Sequence, residues 1–346
     1  MNAGVAQRGR SVVSWHFCHL EQHVLTRLRA GLKTAFLGTV TSTAACARTS
    51  VETLARPEGV RRYLLAQPGR RLPGKRPLVI VLHGAGASAE QVMGQAFPPS
   101  PLSVWLEIAE REGLLVIAPD AGAGGWSDCF ASKEKVAKKD DVALLSALID
   151  KAVAEYDADA DRVYLIGVSR GGHLTYRAVV EIPHKLAAFS TVVSGMPPPH
   201  AAPAPTVPLP ALFFGCTADP LMPYRGGKYF YMLGFLDPIS SIDDSARTWR
   251  ELAGLPDEPS VLDIPHRHEW DRTRVTRYMW GDAADGLQVG LYKIENGGHA
   301  EPSPSRRYPA LIGKLTGAQN ADLEVAEAAW EFFREKRAAL AAREAA

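Results

Sequence analysis

The stretch RVYLIGVSRGGH, Arg162 to His173, decides the fold of this chain. Branched apolar residues lead into a glycine-x-serine-x-glycine pentapeptide, Gly167 to Gly171, after which the pattern becomes helical. Glycines on both sides of a serine tolerate the strained strand-to-helix turn that lifts the hydroxyl clear of a sheet. We therefore predict that Ser169 is a nucleophile, although the pentapeptide alone also fits an ordinary glycine-rich connection.

The helix that begins at this serine predicts half of an anion site. The first backbone amides of a helix have no partner within it, and the positive end of the helix dipole lies beside them. The backbone N–H of Arg170 is therefore a predicted donor to an oxyanion.

The composition excludes one class of partner. The chain has 346 residues, 46% hydrophobic and 22% charged, and a formal net charge of +1. It is long enough for one large domain, and near-neutral charge provides no long-range attraction for nucleic acid. We predict no nucleic-acid partner.

Metal-ligand spacing is weak throughout the sequence. The cysteines Cys18, Cys46, Cys129 and Cys216 form no C-x-x-C pair, which leaves structural thiols, a modification site or one disulfide, for example Cys129 with Cys216. The cluster from His266 to Glu269 imitates a metal site but has no further ligands at the required spacing, so a solvated loop is favoured. We predict neither a metal nor a cofactor.

The first 50 residues differ from the remainder. A basic patch, Arg27 to Lys33, precedes the uncharged run TAFLGTVTSTAAC, Thr34 to Cys46. This pattern is typical of an export signal, and the run is too short to span a bilayer. The residues before Cys46 also resemble a bacterial lipobox, so a lipid on Cys46 could tether the protein to a membrane. We predict a secreted, periplasmic or lipid-anchored protein, the alternative being a cytoplasmic protein with an N-terminal tail.

From residue 51 to residue 346 we predict one catalytic domain of the α/β class. Short apolar segments alternate there with amphipathic ones, the order that builds a mostly parallel sheet covered by helices on both faces. The predicted strands are Arg61 to Pro68, Pro77 to Gly84, Leu114 to Asp120, the serine strand, Ser190 to Gly195, Pro210 to Cys216 and Gly286 to Ile294. The predicted helices are Val104 to Gly113, the segment from Asp140 to Tyr156, the helix after Ser169 and a closing helix from Ala321 onward.

Two strand ends supply partners for the serine. Asp219 follows the strand that ends at Cys216, and His299 follows the strand that ends at Ile294. Reactive groups collect beyond the carboxyl ends of parallel strands, and Ser–Asp–His is the chain order of a nucleophile-elbow hydrolase. Each partner alone could be an ordinary loop residue. Together they predict that His299 accepts the proton of Ser169 and that Asp219 orients the imidazole.

The segment His83 to Gly86 predicts the second half of the anion site. Backbone amides of Gly84 and Ala85 could donate to an oxyanion, and glycine lets a substrate carbonyl come close. The same segment also fits a dinucleotide-binding fingerprint, G-x-G-x-x-A. That motif requires an acidic residue about 20 residues further on, whereas Asp120 is too distant.

An aromatic-rich insertion lies between the aspartate and histidine strands. A lid or an aryl-binding pocket is the functional interpretation, and core packing is the alternative. Tyr224 in this insertion, together with His83 and Trp126, is a candidate substrate-binding residue.

The chain resembles the polyhydroxyalkanoate depolymerase and feruloyl esterase family of α/β-hydrolases, which includes lipoprotein esterases. The segments that carry the resemblance are VLHGAGASAEQ, AEREGLLVIAPD, DDVALLSALID, GVSRGG, GCTADPLMPYRGG and LYKIENGGH. The chain departs from the family at Ala85, where a cysteine is frequent, and at Arg170, where a small residue is frequent.

This resemblance implies an α/β-hydrolase fold with a small insertion between the aspartate and histidine strands. It also implies a serine carboxylic-ester hydrolase that works through an acyl-enzyme without a cofactor. The implied substrates are small or oligomeric esters: short-chain, hydroxyalkanoate or aryl (feruloyl-type) esters. A non-catalytic binding protein of the same fold and a dinucleotide-binding oxidoreductase are the alternatives.

Overall fold

The computed structural model describes residues 46–70, 73–231 and 234–338. The predicted export signal therefore lies, apart from Cys46, outside the described residues, as does Cys18. Within the described part of the chain, no helix combines the length and apolar character needed to cross a bilayer.

A ten-stranded sheet forms the centre of the fold. Its strands are, in spatial order, β1 (Arg48–Arg56), β2 (Gly59–Gln67), β4 (Leu115–Pro119), β3 (Arg76–Leu82), β5 (Ala158–Val168), β6 (Ala188–Val192), β7 (Ala211–Cys216), β12 (Val289–Glu295), β11 (Arg274–Trp280) and β10 (Ser260–Asp263). The strands from β4 to β12 in this order are parallel to one another, while β1, β2, β11 and β10 pair with their neighbours in antiparallel fashion. A separate hairpin consists of β8 (Gly227–Tyr231) and β9 (Gly234–Ile239).

Helices cover both faces of the sheet, as the sequence predicts. They are α1 (Ala89–Val92), α2 (Trp105–Glu112), α3 (Lys133–Lys138), α4 (Asp141–Glu155), α5 (Arg170–Glu181), α6 (Ile242–Leu252), α7 (Ala310–Thr316) and α8 (Val325–Phe333). In β3, Val79 and Val81 face the layer of α2 and α8, whereas Leu78 and Ile80 face the layer of α4, α5 and α6. Every residue of β3 is buried because both sheet faces are covered.

Several predicted boundaries differ from the structure. The sheet begins at Arg48, so β1 crosses the domain boundary predicted after residue 50. The sequence pattern does not predict β1, because its residues are exposed or only half-buried, as on an edge strand, and form no apolar run. Strand β6 ends at Val192 rather than Gly195, and Val193 leaves the extended conformation with φ of 45°. Strand β12 begins at Val289, three residues after the predicted start.

The insertion between β7 and β12 contains β8, β9, α6, β10 and β11. Its last two strands extend the main sheet instead of forming a separate domain. The sequence also allows a disulfide between Cys129 and Cys216. This disulfide is not formed, and both residues are free thiols.

Glycines allow α5 to contact the sheet at the serine turn. A Cβ on Gly167 would lie 2.5 Å from Thr175 Oγ1 and would clash with the Gly171 carbonyl. A Cβ on Gly171 would lie 2.8 Å from the His83 carbonyl oxygen and closer still to that of Leu82. Backbone atoms cannot move aside as a flexible side chain can, so only glycine fits at these positions.

We expect Gly171→Ala to destabilise the fold by about 1–3 kcal/mol, the usual effect of overpacking. Gly313→Ala is the matched control, because a Cβ there, also within a helix, meets nothing within 4 Å. The control should melt at the parental temperature or slightly above it, since alanine favours helix by about 1 kcal/mol over glycine. Thermal melts of the three proteins measure the difference, and equal melts for both variants would contradict the packing argument.

Candidate active site

Ser169 occupies the sharp turn between β5 and α5. Its φ of 53° and ψ of −118° are strained for a residue with a Cβ. Its backbone N–H donates to the Val192 carbonyl at 2.9 Å, which ties the turn to the end of β6. The side chain therefore stands at the carboxyl edge of the parallel strands, as the sequence predicts.

The structure brings the three candidate catalytic residues together. His299 Nε2 lies 3.0 Å from Ser169 Oγ, and His299 Nδ1 lies 2.7 Å from Asp219 Oδ2. The second carboxylate oxygen of Asp219 accepts backbone N–H groups of Leu221 and Met222, each at 2.8 Å. A carboxylate at Nδ1 assigns the proton to that nitrogen, which leaves Nε2 to accept the serine proton.

Backbone hydrogen bonds hold the aspartate and histidine loops against each other. The Ala218 N–H donates to the Gly297 carbonyl at 2.9 Å, and the Asn296 N–H donates to Thr217 Oγ1 at 2.8 Å. On the other side, the His299 N–H donates to the Thr316 carbonyl at 2.5 Å. The imidazole is thus positioned by its own backbone as well as by Asp219.

Glu301 lies in this histidine loop, where its carboxylate is buried within the protein. Oε1 accepts from Ser100 Oγ at 2.9 Å, and Oε2 accepts from the Tyr308 hydroxyl at 2.8 Å. The backbone carbonyl of Glu301 accepts from Gln319 Nε2 at 2.8 Å. Although a residue so near His299 could have contacted a polar substrate, Glu301 instead anchors the loop to the segment before α2.

The loop after β3 lies against the nucleophile. A Cβ on Gly84 would approach Ser169 Cβ to 3.4 Å, so the Gly84 backbone is in van der Waals range of the serine. Ala85 is exposed in the turn that follows, which is closed by a bond of 3.3 Å from the Ala87 N–H to the Gly84 carbonyl. The two predicted donor sites, here and at the start of α5, therefore flank one hydroxyl.

His83 and Trp126 stabilise this loop through hydrogen bonds to its backbone. His83 Nε2 accepts the Ala121 N–H at 3.1 Å, so Nδ1 carries the proton and donates to the Gly84 carbonyl at 2.8 Å. Trp126 Nε1 donates to the His83 carbonyl at 2.9 Å, and the two rings are 4.8 Å apart. Burial lowers the pKa of His83, which keeps the ring neutral. These contacts give both side chains a supporting role, and their direct contact with substrate stays a prediction.

Two lysines that are not predicted from the sequence hold the adjoining loop, residues 121–126. Lys139 Nζ donates to the carbonyls of Ala121 at 2.7 Å, Ala123 at 3.4 Å and Gly125 at 2.5 Å. Lys135 Nζ donates to the carbonyls of residue 124 at 3.0 Å and residue 126 at 2.6 Å. Burial lowers the pKa of both ammonium groups. The sequence pattern that indicates this role is a pair of lysines four positions apart that follows a glycine-rich segment.

The side chain of Arg170 points to Asp128. Its guanidinium lies 2.6 Å from the carboxylate, whose side chain is fully buried. Burial raises the pKa of Asp128, opposed by the charge of Arg170. The pair joins the first residue of α5 to the segment between β4 and α3.

Tyr224 packs against strand β7 of the sheet. Its hydroxyl donates to Asp243 Oδ1 at 2.6 Å, and its ring lies against Gly215, with Lys293 Nζ 5.6 Å above the ring centre. Trp249 of the same insertion is fully buried, 4.6 Å from the Phe189 ring. Core packing is therefore the role of these two aromatic residues, and substrate contact by Tyr224 stays a prediction.

Comparison with known proteins identifies the family. The sequence matches the Alpha/beta hydrolase family over residues 79–338. The chain belongs to this family. Its predicted class, carboxylic ester hydrolase, agrees with NocK of Nocardia uniformis subsp. tsuyamanensis, a protein named as an esterase, which is 30% identical over 79% of both chains.

Two further relatives confirm the predicted resemblance. Feruloyl esterase B of Piromyces equi is 24% identical over 65% of this α/β-hydrolase and 40% of its own length. A poly(3-hydroxybutyrate) depolymerase of Ralstonia pickettii is 28% identical over 42% of this chain and 30% of its own. The chain thus spans less than half the length of these two relatives.

The cluster from His266 to Glu269 holds no metal-site geometry in the described residues. His266 Nδ1 bonds to Asp322 Oδ2 at 2.9 Å, and His268 stacks on Trp270 with ring centres 5.1 Å apart. No group of three or more His, Cys, Asp or Glu side chains suited to a metal occurs within residues 46–70, 73–231 and 234–338.

Trp126→Phe tests the supporting role. Loss of the indole donor should loosen the His83 carbonyl and lower kcat for ester hydrolysis about tenfold with KM nearly unchanged, since the loop matters most to the transition state. Steady-state kinetics measure the split. Trp270→Phe, at a side chain 64% exposed, is the control. A rise in KM at constant kcat would instead support the predicted contact with substrate.

Proposed function

We propose that this α/β-hydrolase is a serine carboxylic-ester hydrolase that works through an acyl-enzyme, with Ser169, His299 and Asp219 as its catalytic residues. The observation that carries the proposal is the unbroken hydrogen-bond sequence from Ser169 Oγ through the imidazole to the Asp219 carboxylate. The carboxylate keeps both oxygens bonded, so it can orient the ring without moving.

In the first half-reaction, Ser169 Oγ bonds to the ester carbonyl carbon as its proton passes to His299 Nε2. The carbonyl π electrons move onto oxygen, and backbone N–H groups of Arg170 and of Gly84 or Ala85 receive this oxyanion. Collapse of the tetrahedral intermediate breaks the carbon–oxygen bond to the alcohol. The imidazolium donates its proton to the leaving oxygen, and an acyl-serine remains.

In the second half-reaction, water takes the place of the alcohol. His299 Nε2 removes one of its protons while the water oxygen bonds to the acyl carbon, and the same donors receive the second oxyanion. Departure of Ser169 Oγ, with its proton returned by the imidazolium, releases the carboxylic acid. Atoms balance with ester and water alone, so the chemistry calls for no cofactor.

The proposed substrates are small or oligomeric esters of short-chain, hydroxyalkanoate or aryl (feruloyl-type) acids. The names of the relatives from Piromyces equi and Ralstonia pickettii support the last two classes. Support from the structure is a small apolar cluster near the triad, in which Phe130 packs with Met222 and stacks edge-on with His173 of α5 at 4.8 Å.

Ser169→Ala and His299→Ala should each lower kcat by several orders of magnitude, because the residues act as a unit. Asp219→Asn should have a somewhat smaller effect. The measurement is hydrolysis of p-nitrophenyl acetate by proteins with matched melting curves, together with fluorophosphonate labelling. His268→Ala is the histidine control and should retain parental activity. Wild-type hydrolysis by Ser169→Ala would refute the proposal, and an unlabelled, inactive parent would favour the non-catalytic alternative.

Activity should be indifferent to EDTA, because the proposed steps use only side chains and backbone amides. Rates before and after chelation and buffer exchange measure this. A loss that zinc, magnesium or calcium restores would mean that the proposed chemistry is incomplete.

We also propose that the extension up to Cys46 directs export and that Cys46 is either a lipidated first residue or lies near a plain cleavage site. Cleavage there would leave the sheet intact, because β1 begins only at Arg48. Two or three acyl chains on one cysteine would suffice for stable anchoring. Mass spectrometry of the N-terminus from membrane, culture and cytosolic fractions should find a chain starting near residue 46. An unprocessed chain starting at Met1 in the cytosol would contradict both fates.

A further inference from the structure

A cavity of about 740 Å³ runs beside α5. One wall is the second half of α5, with Tyr176 and Val180, and the opposite wall is α3, with Val136. The loop of residues 196–205 covers it, and Trp249 of α6 also lines it. A volume of this size is within the usual range of small-molecule sites.

One end of the cavity lies next to the nucleophile turn. Asp128 and Cys129 line that end, and the Asp128 carboxylate is 2.6 Å from the guanidinium of Arg170, the residue after Ser169. Met196, which also lines the cavity, follows closely after Val192, whose carbonyl accepts the Ser169 N–H. The cavity is therefore bordered by the two segments that hold the serine.

The cavity then follows the axis of α5 away from the serine. Tyr176 fixes this course, because its hydroxyl donates to the Ser194 carbonyl at 3.0 Å and ties the helix to the segment just before the covering loop. At the helical rise of about 1.5 Å per residue, Val180 lies roughly 15 Å along the axis from Arg170. The length suits an extended or flat group rather than a single methyl.

The lining favours an uncharged ligand. Alanine, proline, valine, methionine and tryptophan side chains form most of the surface, including all of the covering loop from Ala201 to Pro205. The buried charge at the inner end is neutralised, since Asp128 is paired with Arg170. On the helix wall, Arg177 is paired with Glu181 at 2.6 Å. Lys133 of α3 also lines the cavity, with its side chain exposed to solvent, so apolar residues supply most of the lining and favour an uncharged group.

We propose that this cavity binds the apolar aryl or alkyl part of the ester whose carbonyl lies at Ser169. The inference rests on the proposed function and adds the location of the specificity pocket, on the α5 side of the serine. The shared chemistry is an apolar group, which either the acyl part or the alcohol part of the ester could supply.

The first test uses the wild-type protein and two ester series followed by acid release at constant pH. One series varies the acyl part (methyl acetate, butyrate, hexanoate and 3-phenylpropanoate), and the other varies the alcohol (methyl, butyl, benzyl and 2-phenylethyl acetate), so that the intrinsic reactivity of the esters stays nearly constant. We expect kcat/KM to rise with apolar size in one series by tenfold or more, as an apolar pocket gives. The series that responds identifies the part bound. A fall with size in both series would overturn the proposal.

The second test fills the cavity from two walls. Val180→Phe projects a ring from the helix, and Ala202→Phe projects one from the covering loop. Each should lower kcat/KM for the preferred large ester about tenfold or more, while kcat/KM for methyl acetate changes less than twofold. Val261→Phe on the edge strand β10, 58% exposed, is the control and should leave both values unchanged.

Failure of this inference can be told from failure of the proposed function. Folded variants that bind a fluorophosphonate at the wild-type rate and keep the wild-type size preference would overturn the pocket while leaving the serine mechanism intact. A wild-type protein that neither binds the reagent nor hydrolyses any ester would refute the function itself. If neither variant folds, the wild-type series decides.

Discussion

The contact between α5 and the carboxyl end of the sheet is the constraint on which the active site depends. Because Gly171 touches the carbonyls of Leu82 and His83, one close approach fixes two things at once. It turns Ser169 outward at a strained φ, and it brings the loop after β3 beside the serine. The nucleophile and the loop expected to stabilise its oxyanion are therefore positioned by the same backbone packing rather than by flexible side chains.

Around this contact, three buried carboxylates of the site have partners within the protein. Asp219 is bonded at both carboxylate oxygens, Glu301 by two hydroxyls, and Asp128 is paired with Arg170. Buried charges with such partners hold fixed orientations, whereas unpaired ones would favour rearrangement or protonation. The frame is thus polar and rigid, while the cavity beside α5 is apolar. Its covering loop lies outside the sheet, so its residues can vary without disturbing the frame.

The sequence predicts the centre of this fold well, because strands buried on both faces are continuous apolar runs. Strands β3, β4 and β7 are examples, and Ser169, Asp219 and His299 lie just beyond the carboxyl ends of β5, β7 and β12. Edge strands such as β1 and β10 are not predicted in this way, because their residues are exposed or half-buried. The positions of the His83, Trp126 and Tyr224 side chains are not predicted from the sequence, for another reason. Their side chains are committed to partners distant in sequence, which no local pattern records.

The carbonyl oxygens of residues 121–126 converge on two ammonium groups in the way that loop carbonyls elsewhere surround a bound cation. Here the positive charge is part of the chain, carried by Lys135 and Lys139. An ion would equilibrate with the surrounding solution, and its occupancy would follow its concentration. A lysine side chain, in contrast, is covalently part of the protein and cannot dissociate. The loop that carries Trp126 is therefore held by side chains of the protein itself. Its contacts with the His83 loop do not depend on the concentration of a cation.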